Sequence, residues 1–297
     1  MIQYPRLRLR NRRSELCASD ALLMCFYMNH PHARMAATVM RTLELFQERI
    51  HPYRLTWYSG EGQTEPLDDA GWAHVREEML GPDDGAIEHL GNDTYRIGGL
   101  FVDYRGLPVP LPYPGREDDV SVLYLRLPTE FLEERGPEQV RALALELARD
   151  LPFNSGYVDF TLCSYQGDFG EALPLIHPRY PGVHLAMTRA NMSMNSWVEG
   201  VHWMNFLGQP VLGQLGGLSG LRERLALPGI SFHEMSGDRV LITLGEQPEV
   251  GDLDAGQTLP LHRALARVLE PHLYHWPQRL VRVPPEEILR WERRFLD

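Results

Sequence analysis

The sequence predicts an α+β fold in which mixed or antiparallel sheets are flanked by helices. A strand, a helix of roughly four turns and a second strand follow one another twice, at Leu22–Tyr58 and at Val120–Tyr165. After Tyr165 a hairpin and several helices follow instead, whereas a doubly wound sheet would need strict alternation throughout. The repetition also indicates two related α/β halves.

Proline, glycine and capping residues bound the elements of the first half. Runs of β-branched and aromatic residues predict three strands, at Leu22–Met28, Tyr53–Tyr58 and Tyr95–Tyr104. Apolar residues at three-to-four spacing through Ile50 predict a helix that Pro52 ends. Asp68 or Asp69 can cap a second helix, which runs to Leu80.

A linker separates the two halves. The segment Arg105–Asp119 holds five prolines and glycines between Gly106 and Pro114, and three consecutive acidic residues follow them. We therefore expect two domains, an N-terminal α/β half at residues 1–110 and a C-terminal α/β half at residues 119–297.

The second half mixes strands and helices. Its predicted strands are Val120–Leu127, Tyr157–Tyr165 and Val201–Phe206. Gly229–Phe232 and Arg239–Leu244 are predicted to form a hairpin, because Ser236-Gly237-Asp238 between them is typical of a turn. Its predicted helices begin after Gly136 and then cover Val211–Leu225, Leu261–Leu273 and Glu286–Phe295.

Composition and charge narrow the functional class. The 297 residues are 43% hydrophobic and 23% charged, as in an ordinary soluble globular protein. No apolar run approaches the roughly 18 residues that a membrane span needs, and three widely spaced cysteines indicate reduced thiols. We therefore expect a cytoplasmic protein without membrane contact.

The balance of charge favours a protein partner over nucleic acid. Forty acidic residues stand against 29 basic ones, which gives a net charge of −11. A nucleic-acid ligand requires a concentrated basic face to neutralise its phosphates. An acidic chain suits a basic protein partner, such as one that itself binds nucleic acid.

The sequence contains no motif that predicts catalysis or cofactor binding. Two histidine pairs lack the further ligands of a metal site: His30 with His32, and His272 with His275. Cys163 lies in an apolar run, where a buried and unreactive thiol is expected. We expect no catalytic residue, no metal and no cofactor. An enzyme with an unrecognised site at His202 or His233 stays an alternative.

Acidic loops are the candidate binding residues. Four loops and their borders combine glycine or proline with carboxylates, and these could dock on a positively charged cleft; the alternative is that they are ordinary solvated loops. The candidates are Glu61, Glu65, Asp83, Asp84, Glu117, Asp118, Asp119, Glu246, Glu249 and Asp252.

Several segments carry a family resemblance. They are Trp203-Met-Asn-Phe-Leu-Gly208, Leu215-Gly-Gly-Leu218, Leu241-Ile-Thr-Leu-Gly245, Pro248, Gly251-Asp252 and, more loosely, Phe153-Asn-Ser-Gly156. In these segments the chain resembles a bacterial family of immunity proteins of type VI secretion systems.

This resemblance implies a cytoplasmic antidote that binds a cognate effector toxin without covalent chemistry. Several toxins paired with the family are nucleases of restriction-endonuclease-like fold, so occlusion of a nuclease active site is the implied mode of action. The family has no catalytic motif to carry over. An adaptor that loads an effector for secretion is the other alternative, beside an enzyme.

Overall fold

Twelve strands form one sheet in the computed structural model, which describes residues 4–10, 13–14, 16–60, 63–81, 86–92, 97–108, 117–164, 176–186, 193–275 and 283–297. In chain order the strands are β1 Leu9–Arg10, β2 Leu16–Met28, β3 Trp57–Gly60, β4 Gln63–Pro66, β5 Ala86–Gly91, β6 Phe101–Gly106, β7 Ser121–Leu127, β8 Ser155–Ser164, β9 His184–Leu185, β10 Met204–Leu207, β11 Ile230–Met235 and β12 Arg239–Leu244.

The order across the sheet is β11-β12-β10-β8-β2-β7-β6-β5-β3-β4, with β1 beside β2 and β9 beside β8. All neighbours are antiparallel except β8 and β9. The α+β prediction is therefore confirmed. Strand β2 of the first half lies between β7 and β8 of the second, so both halves contribute to one sheet. The division into two domains stays a prediction.

Eight α-helices lie within the described ranges. They are α1 His32–Arg49, α2 Asp69–Leu80, α3 Thr129–Arg135, α4 Pro137–Ala148, α5 Val211–Gln214, α6 Gly217–Arg224, α7 Pro260–Leu269 and α8 Pro285–Glu292. Asp68 caps α2 as expected, because its side chain accepts a hydrogen bond from Gly71 N at 3.0 Å. Within these ranges no helix has the length and apolar content needed to cross a bilayer.

Two differences from the predicted elements have local causes. The helix expected at Val211–Leu225 is broken into α5 and α6, because Gly216 and Gly217 adopt φ values of +81° and +71°. The strand expected from Val201 begins only at Met204. Before it, Asn205 Nδ2 donates to His202 O at 2.7 Å and Asn205 Oδ1 accepts from His202 N at 3.0 Å, which closes a turn.

The two faces of the sheet are packed differently. On one face, β2 places Leu22, Met24 and Phe26 in the largest hydrophobic cluster, which also includes apolar side chains of α1 to α4. On the other face, Leu23 and Tyr27 belong to a smaller cluster. A further cluster joins β10 and β12 to α5, α6 and α7.

The strand register defines two ends of the sheet. At the first, called the Met28 end, β2 and β10 finish while β7 and β8 begin, so that Met28 pairs with Ser121 and Leu207 with Ser155. At the other, called the Gly245 end, β12 finishes and the chain continues through Gly245.

Candidate functional site

The acidic residues proposed from the sequence lie at different places on the molecule. Glu61, Asp83 and Asp84 lie outside the described residues. The other seven fall into three groups: Glu117, Asp118 and Asp119 at the Met28 end; Glu246, Glu249 and Asp252 beyond the Gly245 end of β12; and Glu65 on β4. These seven carboxylates therefore do not form one cluster in the folded chain.

At the Met28 end, Asp118 and Asp119 accept hydrogen bonds from other parts of the chain. Asp119 is only 5% exposed, and its carboxylate accepts a hydrogen bond from Ser193 Oγ at 2.6 Å. Asp118 is exposed, but Asn195 Nδ2 donates to it at 2.9 Å. Asp119 therefore stabilises the start of β7 from within, and Glu117 and Asp118 are the acidic side chains that reach solvent here.

The group beyond the Gly245 end contains the more available carboxylates. Glu246 and Glu249 are exposed, and no described side chain forms a hydrogen bond or ion pair with either carboxylate. Asp252 differs, because Arg179 binds it through two hydrogen bonds of 3.0 and 2.8 Å. These bonds lower the pKa of Asp252, which also caps a short 3-10 turn by accepting from Asp254 N.

Segments that carry the family resemblance act in packing. Asn154 Oδ1 accepts from Asn29 N and Asn154 Nδ2 donates to Asn195 O, both at 2.9 Å, which joins β2, β8 and a loop. A Cβ atom on Gly208 would lie 2.2 Å from Phe153 O, so only glycine permits this approach of two backbones. Such residues hold neighbouring backbone segments together in the folded chain.

A buried polar network on the face opposite α1 was not expected from the sequence. The hydroxyl of Tyr27 donates to Glu199, and Glu199 Oε1 lies 3.3 Å from His184 Nε2. Tyr157 OH lies 3.0 Å from the same His184 nitrogen. Burial raises the pKa of Tyr27 and Tyr157 well above the ordinary value, so both stay protonated. No periodic pattern marks Glu199, because its partners come from distant segments.

The pair formed by Asp159 and His202 is the arrangement closest to acid–base chemistry. Their side chains are 2% and 1% exposed, and His202 Nδ1 lies 3.2 Å from Asp159 Oδ2. Burial raises the pKa of Asp159 well above its ordinary value and lowers the pKa of His202 well below its own. The ring of Tyr157 stacks on His202 with centroids 3.9 Å apart. The pair thus contributes to a packed core region.

A cavity of about 240 Å³ lies beside this network, under α8. Its walls include Glu199, Tyr274, Trp291 and Arg294, and the Arg294 guanidinium lies 4.3 Å from the Trp291 ring and 4.6 Å from the Phe295 ring. Burial lowers the pKa of Arg294 to about 10, so it remains charged. Over the described ranges, no three His, Cys, Asp or Glu side chains are placed to hold a metal ion.

The buried histidine His262 predicts a loss of stability in mild acid. It is 1% exposed, and burial lowers its pKa to about 3. The unfolded chain protonates His262 near pH 6.5, whereas the folded chain does so only near pH 3. The contribution of neutral His262 to the free energy of unfolding is therefore complete above pH 6.5 and is lost as the pH falls towards 3. We expect His262→Leu to flatten the pH dependence of the free energy of unfolding by up to about 1.4 kcal/mol per pH unit between pH 4 and 6.

Denaturant titrations across this pH range measure the effect. His51→Leu is the matched control, because it removes one exposed histidine in place of a buried one. Parallel slopes for the wild type and His262→Leu would show that His262 is protonated in the folded protein.

Comparison with known proteins found one matching family model and a similar solved structure. The family model TsiV, described as type VI immunity for VRR-NUC, matches residues 38–295. Among solved structures, the chain is similar to the Pseudomonas aeruginosa T6SS protein PA0821. The TM-score is 0.80 with 21% sequence identity, over 97% of this chain and 87% of that chain. At this identity the structural likeness shows the fold alone. None of the curated proteins matches the chain.

Proposed function

The chain belongs to the TsiV family of type VI immunity proteins for VRR-NUC, and from this membership we propose that it binds a cognate effector toxin and neutralises it. In this proposal the toxin is a nuclease, and the chain acts in the cytoplasm by non-covalent occlusion of the nuclease active site. The observation that carries the proposal is the family match over residues 38–295, which includes strands β3 to β12 and helices α2 to α8.

Charge supports a nuclease as the target. A nuclease must attract polyanionic DNA, so its active-site cleft presents positive charge. The chain has a net charge of −11, which favours rapid capture of such a cleft by electrostatic steering. The same charge would repel DNA, so the chain competes with the substrate without binding it.

The exposed carboxylates beyond the Gly245 end are the best candidates for steering. Glu246 and Glu249 have no ion-pair partner among the described residues, so their charges are available to a partner. Asp252 and Asp119 are already bonded within the chain. Glu65, Glu117 and Asp118 remain secondary candidates, since each is exposed but none lies in this group.

Co-expression with a nuclease toxin encoded beside the gene for this chain tests the function. We expect the chain to restore growth of cells that express the toxin, to co-purify with it and to abolish its cleavage of DNA. Co-purification without protection would indicate a secretion adaptor. Turnover of a small substrate by the purified chain, abolished by His202→Ala, would indicate an enzyme.

Occlusion is tested by competition between the chain and DNA. If the chain covers the nuclease active site, a catalytically inactive toxin cannot bind a DNA duplex and the chain together. Increasing DNA should therefore displace the chain. A ternary complex of toxin, DNA and chain would instead show that inhibition occurs by remodelling the toxin from another surface.

Charge reversal tests the contribution of the Gly245 end. We expect the double variant Glu246→Arg/Glu249→Arg to weaken toxin binding at least tenfold, mainly through slower association and most clearly at low salt. Surface plasmon resonance at two salt concentrations measures this change.

The control must alter total charge equally at a distant site. Glu77→Arg/Glu78→Arg changes two exposed carboxylates on α2 and should alter the affinity less than threefold. If both double variants weaken binding alike, the effect comes from net charge, and the Gly245 end is not the docking surface.

A further inference from the structure

Strand β11 leaves peptide groups unpaired at one edge of the sheet. Gly245 N donates to Gly229 O at 2.7 Å, so these two residues are a hydrogen-bonded pair of the β11–β12 ladder. In an antiparallel ladder such pairs alternate. The N–H and C=O groups of Phe232 and Glu234 are therefore turned away from β12, and no described backbone group bonds to them.

The other edge of the sheet is protected, whereas β11 is not. Strand β4 has only four residues. Because Leu67 N donates to Thr56 O, the nitrogen of Pro66 faces outward from the sheet. Proline has no N–H group, so no free donor stands at this position. Proline and charge at an edge prevent strand addition. Strand β11 has six residues and no proline, and the charge of its one acidic side chain, Glu234, is balanced by an ion pair with Arg222. Its edge is open to a further strand.

A groove accompanies the open edge. Between α4 and β11 lies a space of about 520 Å³, with Leu145 and Met235 supplying apolar surface. Glu146, Arg149 and Glu234 line it as well. A helix beside an edge strand is the arrangement in which several domains bind extended peptides, since the strand supplies main-chain hydrogen bonds and the helix flank contacts side chains.

We propose that an extended, positively charged segment of the effector adds to β11 as a further strand and lies in this groove against α4. The proposal rests on the proposed function, because the effector is its partner. Charge favours such a segment through the chain as a whole, whose net charge is −11. Within the groove, Glu146 and Glu234 are already paired with Arg49 and Arg222, so the groove itself contributes main-chain groups and apolar contact.

Main-chain pairing gives a specific test at Glu234. Replacing it with proline removes the outward N–H, while the hydrogen bonds of the β11–β12 ladder stay in place, because Glu234 does not contribute to them. Glu234→Gln is the matched control, since it removes the charge and the exposed ion pair with Arg222 but keeps the N–H. We expect Glu234→Pro to weaken binding to the purified effector at least tenfold and Glu234→Gln less than threefold.

Hydrogen exchange of the wild-type complex provides an independent measurement. The amides of Phe232 and Glu234 should exchange at least tenfold more slowly with the effector bound, whether or not the proline variant folds. Unchanged exchange at both amides, or full affinity of a folded Glu234→Pro variant, would overturn strand addition.

Two other outcomes separate this inference from the proposed function. If the wild type does not bind the effector at all, the proposed function fails. If the wild type binds the effector but Glu234→Pro changes only the self-association of the chain, seen by sedimentation, the edge serves a second copy and the inference fails alone.

Discussion

Replacing Gly208 with alanine is expected to lower the free energy of unfolding by about 3 kcal/mol. An alanine Cβ would lie 2.2 Å from Phe153 O and 3.3 Å from Phe153 C. Both are backbone atoms, so no side-chain rotation can relieve the clash. Gly208 N also donates to Asn154 O at 2.8 Å, which keeps the two segments close. Denaturant titration of the purified variant measures this loss of free energy. In cells that co-express the toxin, we expect the variant to protect less well than the wild type.

Gly220→Ala is the matched control for this substitution. Gly220 lies in α6, where an added Cβ would have ordinary contact with Leu215 O at 3.4 Å. Because alanine favours helix more than glycine, this variant should be unchanged or stabilised by up to about 1 kcal/mol. A stable Gly208→Ala variant would mean that the chain can separate Phe153 from residue 208 at little cost.

Removing the carboxylate of Glu199 is expected to have a similarly large effect. Glu199→Ala removes the buried carboxylate shared by the Tyr27 hydroxyl and His184 Nε2, leaves them only the hydroxyls of Tyr124 and Tyr157, and opens space in the core. Unpairing a buried polar network costs several kcal/mol, so we expect the free energy of unfolding to fall by about 3 kcal/mol. Thermal and denaturant unfolding measure this loss, which should not depend on the toxin.

A double-mutant cycle shows whether the loss belongs to the network. Tyr27→Phe alone should cost about 1.5 to 3 kcal/mol, because it removes a hydrogen bond to a buried carboxylate. Added to Glu199→Ala, it should cost much less, since the partner is already absent. Tyr53→Phe is the control: its hydroxyl bonds the exposed Glu134 at 3.0 Å, and its loss should cost less than about 0.5 kcal/mol. Additive effects of Tyr27→Phe and Glu199→Ala would contradict a shared network.

Much of the local structure could be predicted from neighbouring residues. The Asp68 cap predicted the start of α2, and the turn at Ser236–Asp238 predicted the hairpin of β11 and β12. The strand expected at Tyr95–Tyr104 was less accurate. Tyr95 and Arg96 lie outside the described residues, and in the described part the strand begins only at Phe101. Strand ends depend on pairing partners, which are distant in sequence, whereas helix caps and turns depend on adjacent residues.

The candidate binding residues could be predicted less well than the helices and turns. Sequence patterns identified carboxylates in loops, but not which of them another part of the chain already binds. Asp119 is held by Ser193, which is 74 residues away, and Asp252 by Arg179, which is 73 residues away. Only the folded structure distinguishes these bonded carboxylates from the available carboxylates of Glu246 and Glu249.

The sequence alone determined the α+β class, most helices and the family relationship, because spacing, capping and short motifs are properties of residues close together in the chain. Tertiary structure alone decided that β2 lies between β7 and β8, that Glu199 meets Tyr27 across 172 residues, and that β11 forms an open edge. These features arise where distant segments meet, so the physical cause is long-range pairing and burial, which no local pattern records.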